Sequence, residues 1–115
     1  MKVYGIPNCN TVKKATEWLK QNNFNFEFHD FKKKGIDKEK LEEWSNIFTD
    51  EVVLNKKGLT WKKLSKEEQL KIDKRDKVID YLSQNTSAIK RPIVEVNGKP
   101  VLISFNEDDY KKVLL

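Results

Sequence analysis

Val3-Tyr4-Gly5-Ile6-Pro7-Asn8-Cys9-Asn10-Thr11-Val12-Lys13-Lys14-Ala15 is the stretch on which the reading of this chain turns. Met1 to Tyr4 has the β-branched and aromatic character of a strand. Gly5 and Pro7-Asn8 break it and force a turn. From Asn10 onward the apolar residues fall at Val12, Ala15, Trp18 and Leu19, the spacing of one helix face. Asn10 or Thr11 is the expected N-cap, because either side chain can accept a bond from an orphan backbone N–H. Cys9, the only cysteine, therefore stands between a strand and the positive end of a helix. Free N–H groups and the helix dipole favour negative charge there. Thiolate is the form of cysteine that attacks, and such a place lowers a thiol pKa. Lys13 and Lys14 add positive potential in a first turn where it slightly disfavours the helix. A local conflict of this kind is expected at functional sites. The bland alternative is a small buried hydrophobe; the strand–Pro–Cys–helix context favours a reactive thiol.

Working outward, the first helix is expected from about Thr11 to Gln21, with Asn22-Asn23 as its stop. Phe24, Phe26 and Phe28 alternate with Asn25 and Glu27, the pattern of a half-buried strand ended by His29-Asp30. Strand, helix and strand make a parallel, right-handed βαβ unit. His29, the only histidine, is a candidate general base, but nothing in the sequence ties it to Cys9, so a strand-end surface residue is preferred. Lys32-Lys33-Lys34-Gly35 reads as a solvated basic turn. Asp37 to Asn85 is mostly helical: Asp37 and Ser65 are caps, and Leu41, Trp44, Ile47, Phe48, Leu70, Ile72, Val78, Ile79 and Leu82 are expected to face a core. Pro92 to Val96 is a strand, Asn97-Gly98 a hairpin turn and Lys99 to Ser104 the returning strand. Asn106 caps a last helix over Glu107 to Leu114. The order predicts an α/β fold, a four-stranded mixed sheet with a helical insertion at about 37–85 between a βαβ half and a ββα half.

The 115 residues suit one domain, 1–115, with a single modest core. Charged residues are 36% and apolar residues 37%, a charged surface with enough apolar residues to fold. The net charge of +5 is carried almost wholly by lysine, with Arg75 and Arg91 the only arginines. The lysines are spread along the chain among Asp and Glu, which points to a solvated surface and away from direct nucleic-acid binding. One cysteine excludes an internal disulfide and a two-cysteine redox cycle, and one Cys with one His cannot close a zinc site. No apolar run has membrane length and no secretory signal is read, so no membrane partner and a cytoplasmic location are expected.

The strand–loop–Cys–helix start, the Arg-Pro before a hairpin and the final helix together resemble a thioredoxin or glutaredoxin fold. With the helical insert, the chain resembles the ArsC/Spx family of arsenate reductases and Spx transcriptional regulators, and within it the YffB-like subgroup. The segments that carry the resemblance are Tyr4 to Ala15, Leu54-Asn55-Lys56-Lys57-Gly58-Leu59-Thr60-Trp61-Lys62-Lys63-Leu64, Ile89-Lys90-Arg91-Pro92 and Gly98-Lys99-Pro100. Four segments in order at the right spacing make a specific signal. The resemblance implies that Cys9 is catalytic and that Arg91 precedes a cis proline, Pro92, beside it. Gly5 and Lys13 stand where arsenate reductases of this type have His and Arg; Asn55 and the region of Ser104 stand where they have two further arginines. Val12 stands where a Cys-x-x-Cys switch would place its second cysteine.

The function this implies is a thiol-dependent, arsenate reductase-like oxidoreductase. Its Cys9 thiolate reduces a mixed disulfide or an oxyanion, with glutathione or another external thiol as co-substrate and no bound cofactor or metal. Asn10, Thr11, Lys13, Arg91 and Pro92 are the expected substrate- or anion-binding residues. Small-molecule thiols and protein disulfides are the expected partners, and a monomer the expected state. The alternative is an Spx-like regulatory protein that binds RNA polymerase without turnover. A third reading is a scaffold whose thiol is buried and inert.

Overall fold

The computed structural model describes every residue from Met1 to Leu115. Strand β1, Lys2–Gly5, is the shared edge of two ladders. It pairs in parallel with β2, Glu27–Asp30, where Val3 lies opposite Phe28. It pairs antiparallel with β3, Ile93–Val96, where Val3 lies opposite Val94. Strand β4, Lys99–Ile103, closes the antiparallel hairpin, giving the order β2-β1-β3-β4. Asn97 and Gly98 take positive φ values of 53° and 78°, the backbone that a two-residue type I′ turn requires. Helix α1, Asn10–Gln21, is the crossover between the parallel strands. The mixed four-stranded sheet is the one expected from the sequence.

One face of the sheet is closed by α1. Val3, Val94 and Leu102 of the strands meet Ala15, Trp18 and Leu19 of α1 and Tyr110 of the C-terminal helix, all buried. The Trp18 ring meets Tyr110 edge-on at 5.5 Å and stacks on Phe24 at 6.2 Å. Each large side chain so buried stabilises the fold by roughly 1.5–3 kcal/mol. Side chains alternate along a strand, so Tyr4 and Glu95 lie on the opposite face. There the Tyr4 hydroxyl donates to Glu95 Oε1 at 3.2 Å, and the His29 ring lies 5.1 Å from Tyr4.

The chain divides into two compact units, Met1–Lys34 with Arg91–Leu115, and Gly35–Lys90. The first holds the sheet, α1, a short turn of helix α2 at Phe31–Lys34 and the last helix. In the second, α3 (Lys38–Phe48) and α4 (Asp50–Val53) are followed by α5 (Leu59–Lys62), α6 (Lys66–Leu70) and α7 (Arg75–Gln84). Leu41 and Trp44 of α3 and Val78, Ile79 and Leu82 of α7 are buried. Ser65 caps α6 in a full capping box: its hydroxyl accepts from Glu68 N at 3.1 Å and its N–H donates to Glu68 Oε1 at 3.0 Å. The C-terminal end of this unit is tied to its middle, with Leu54 bridged to Ile89 and the Lys90 N–H donating to the Val53 carbonyl at 2.7 Å. Helix α8, Glu107–Leu114, is capped by Asn106, whose Oδ1 accepts from Asp109 N at 3.1 Å.

Several local expectations are corrected. Helix α1 begins at Asn10, so Cys9 itself is the N-cap, and neither Asn10 nor Thr11 holds that place. The second strand runs from Glu27 to Asp30, later than the Phe24–Phe28 alternation suggests. The Phe24 N–H still closes the end of α1 on the Leu19 carbonyl, and pairing starts where Glu27 N meets Met1 O at 3.0 Å. Ile47 is 57% exposed and Leu70 74% exposed, so neither belongs to the core. On α3 the inward line runs Leu41, Trp44 and Ser45 to the half-buried Phe48, which leaves Ile47 beside it. Leu70 ends a five-residue helix with no buried residue at all. No helix is long and apolar enough to cross a membrane.

Candidate active site

Cys9 has extended backbone, φ −145° and ψ 125°, and its carbonyl accepts the first bond of α1 from Lys13 N at 3.0 Å. A residue in this position usually offers a side-chain oxygen to the N–H groups two and three places on. Here those places are Thr11 and Val12; the Cys9 sulfur closes no full capping bond, but their N–H groups act on its charge. Partial burial pushes the Cys9 thiol pKa up. The Val12 N–H, the charge and hydrogen bond of Arg91, and the Thr11 N–H pull it down, and together they win, leaving it below its ordinary value. The sulfur is half-exposed, so it remains open to a reactant.

The sheet brings Arg91 to the sulfur. Ile93 of β3 lies opposite Tyr4 of β1, and continuing this antiparallel register sets Arg91 level with Ile6, three residues before Cys9. The Arg91–Pro92 peptide is cis, Pro92 is buried, and its carbonyl accepts the Ser104 N–H at 2.8 Å. Gly5 sets the approach of α1 to β1. A Cβ at Gly5 would lie 3.0 Å from Val12 Cγ2, so the bare glycine lets the residue whose N–H serves the sulfur sit close over the strand.

The structure thus gathers Cys9, Thr11, Arg91 and the proline turn. Asn10 is exposed as the first residue of α1. Lys13 is exposed and lines a cavity of about 240 Å³ beside α1, together with Thr16 and Lys20 of the same helix. The charged side chain acting on Cys9 is Arg91; neither Lys13 nor His29 is among the groups that move its pKa. The sequence reading did not single out Val12. Its apolar side chain marked it as core, and its contribution comes from the backbone. Placing the N-cap on Cys9 would have pointed to it, since the third helical N–H is the one a cap binds. No cluster of three or more His, Cys, Asp or Glu side chains that could hold a metal is present.

A central strand running into a loop, a single cysteine capping the next helix and a cis proline opening the following hairpin define a thioredoxin-like protein with a one-cysteine site. More narrowly, the chain belongs to the ArsC family, whose model matches residues 4–113. Among relatives it is 39% identical over 109 residues to an uncharacterised protein of Haemophilus influenzae, covering 95% of this chain and 94% of that one. It is 27% identical to the global transcriptional regulator Spx of Streptococcus agalactiae, covering 94% of this chain and 78% of the regulator. Among solved structures it is similar to the protein named YFFB, with a TM-score of 0.91, 37% identity and coverage of 99% and 98% of the two chains. It is also similar to an arsenate reductase (ArsC) related protein of Brucella melitensis, with a TM-score of 0.75, 33% identity and coverage of 96% and 91%.

Proposed function

We propose that the chain is a single-cysteine thiol oxidoreductase. The Cys9 thiolate attacks one sulfur of a mixed disulfide, forming a Cys9 disulfide and expelling the other sulfur as thiolate. An external thiol, glutathione or its equivalent, then attacks the adduct, freeing Cys9 and leaving as a new disulfide. The external thiol is oxidised, the substrate disulfide is reduced, and the protein returns unchanged. An oxyanion such as arsenate enters the same cycle by condensing with Cys9, with both electrons supplied by external thiols. The observation that carries this reading is a half-exposed cysteine at the start of α1 whose thiol pKa is pulled down by Val12, Arg91 and Thr11.

In this reading Arg91 holds a carboxylate or oxyanion on the incoming group, as guanidinium suits planar anions. The Pro92 turn receives the extended backbone of a peptide-like thiol. Asn10 and Thr11 line the mouth of the loop, and Lys13 attracts anions from the side. No bound cofactor is required. The reducing thiol pool of a cytoplasm would supply the second reactant to a monomer. The test is coupled NADPH oxidation with glutathione and glutathione reductase, run with a small glutathione mixed disulfide and, in parallel, with arsenate. Turnover with the mixed disulfide that vanishes in Cys9→Ser is expected. Equal rates in Cys9→Ser and wild type would overturn the reading.

The similarity to Spx regulators favours one second reading, a regulatory protein that binds RNA polymerase without turnover. Polymerase subunits retained on the immobilised chain, equally by wild type and Cys9→Ser, would support it.

A further inference from the structure

The cavity beside α1 has a composition that the thiol reaction does not use. One wall is the α1 stripe Lys13, Thr16 and Lys20; the other is Phe26 and Phe28; Pro7 and Val12 close the end nearest the Cys9 loop. Lys13 and Lys20 are seven residues apart, so they stand on nearly the same side of the helix and roughly 10 Å apart along it. The Thr16 hydroxyl is bonded to the Val12 and Lys13 carbonyls, both at 3.1 Å, which leaves the space between the lysines largely apolar. No acidic residue lines the cavity. Both lysines are exposed.

The cavity also runs along an open edge. Strand β2 is at the end of the sheet and is paired only with β1. The Glu27 N–H faces β1, since it donates to the Met1 carbonyl at 3.0 Å. Alternation then turns the main-chain N–H and C=O of Phe28 outward, on the side with no neighbouring strand. Unpaired groups of this kind accept an added strand, with side-chain pockets giving the choice of sequence.

We propose that this groove docks an extended acidic segment of a protein substrate, with an apolar side chain seated between Val12 and Phe28 and carboxylates meeting Lys13 and Lys20. The proposal rests on the thiol reading above and narrows its substrate to disulfides carried by acidic protein segments. The charge complementarity argues for this occupant. An acid-free apolar slot rimmed by two ammonium groups a helical repeat apart matches a segment that alternates carboxylate and apolar residues.

The test uses the whole protein and two measurements. Fluorescence anisotropy follows a labelled, cysteine-free peptide of alternating Glu and Leu, against a Lys and Leu control. Saturable binding of the acidic peptide, weakened at least fivefold by Lys20→Glu and by raised salt, is the expected result. Lys20 is exposed, so the substitution disturbs no buried contact. Absence of binding, or binding equal in wild type and Lys20→Glu, would overturn the proposal. So would an oligonucleotide of equal charge that binds as well as the peptide, because charge alone would then be read. Disulfide exchange with the acidic and basic peptides, each carrying one mixed disulfide, is the second measurement. An acidic-to-basic rate ratio well above one, falling toward one in Lys20→Glu, is expected. A ratio of one in wild type sinks the groove and spares the thiol reading. Exchange with no disulfide at all sinks the thiol reading, while the anisotropy still judges the groove.

Discussion

At the scale of single residues, the sulfur of Cys9 takes the place that an oxygen usually fills at a helix start, and its surroundings favour the ionised form more than water does. Alkylation of Cys9 by a small reagent should therefore show a pH midpoint below that of a free thiol. Replacing Arg91 with Met removes a charge and a hydrogen bond from the sulfur. The midpoint should rise and alkylation at pH 6 should slow several-fold; an unmoved midpoint would mean that the N–H groups act alone. The same shift has a sign in stability. The folded pKa lies below the unfolded value of about 8.5. Ionisation therefore adds nothing below the folded pKa, gains as pH rises between the two values, and is complete above the upper one. The stability difference between wild type and Cys9→Ser, followed by urea unfolding, should grow with pH across that window. Gly5 makes the opposite kind of demand, for absence of atoms. Gly5→Ala would put a methyl 3.0 Å from Val12 Cγ2, against a buried and stiff side chain. A loss of about 1 kcal/mol by denaturant unfolding is expected, along with slower alkylation if Val12 carries the first turn of α1 away.

At the scale of elements, the junction of α3 and α4 carries visible strain. Thr49 sits at φ 82° and ψ 152°, a region that β-branched residues avoid. Its main chain is fully used there: its N–H donates to Ser45 O at 2.9 Å and its carbonyl accepts Val53 N at 3.1 Å. Thr49→Gly should relieve roughly 1–3 kcal/mol of strain and lose about 0.5–1 kcal/mol to the freer unfolded chain. The net expectation is a stabilisation of about 1 kcal/mol, seen as a higher Tm; a lower Tm would mean that the threonine side chain holds the bend. Nothing in Phe48-Thr49-Asp50 announces this, because threonine is an ordinary residue for an N-cap and only the dihedral shows the cost. Other elements were plain in the sequence. The strand–Pro–Cys–helix start, the Asn97-Gly98 turn and the Ser65 and Asn106 caps each rest on local chemistry, and the structure has them. What was hidden depends on context. Ile47 shares a helical spacing with Trp44 and still falls outside, because Phe48 takes the inward place. Lys13 reads as a partner for the sulfur by proximity in sequence, whereas the helix turns it into the groove. Arg91 is eighty-two positions from Cys9 and is joined to it only by strand register, which the family resemblance supplied and spacing could not.

At the scale of the whole molecule, one half-exposed cysteine in 115 residues fixes what oxidation can do. In air without reductant the chain should form a covalent dimer and nothing larger, since each copy has one sulfur to give. Non-reducing electrophoresis should show two bands that reductant collapses to one, and Cys9→Ser should show the lower band alone. A ladder of higher species would contradict the single-site account. A different consequence follows from the position of β1, which is hydrogen-bonded on both flanks while β2 and β4 each have an open side. Amides of interior strands are released to solvent mainly when the whole domain opens, and those of edges by smaller fluctuations. In deuterated water Val3 and Tyr4 should be among the last to exchange, and β2 should exchange sooner. The loop that carries the sulfur thus hangs from an interior strand. A weakened variant should keep its low thiol pKa in every molecule still folded and lose it only with the fraction that unfolds.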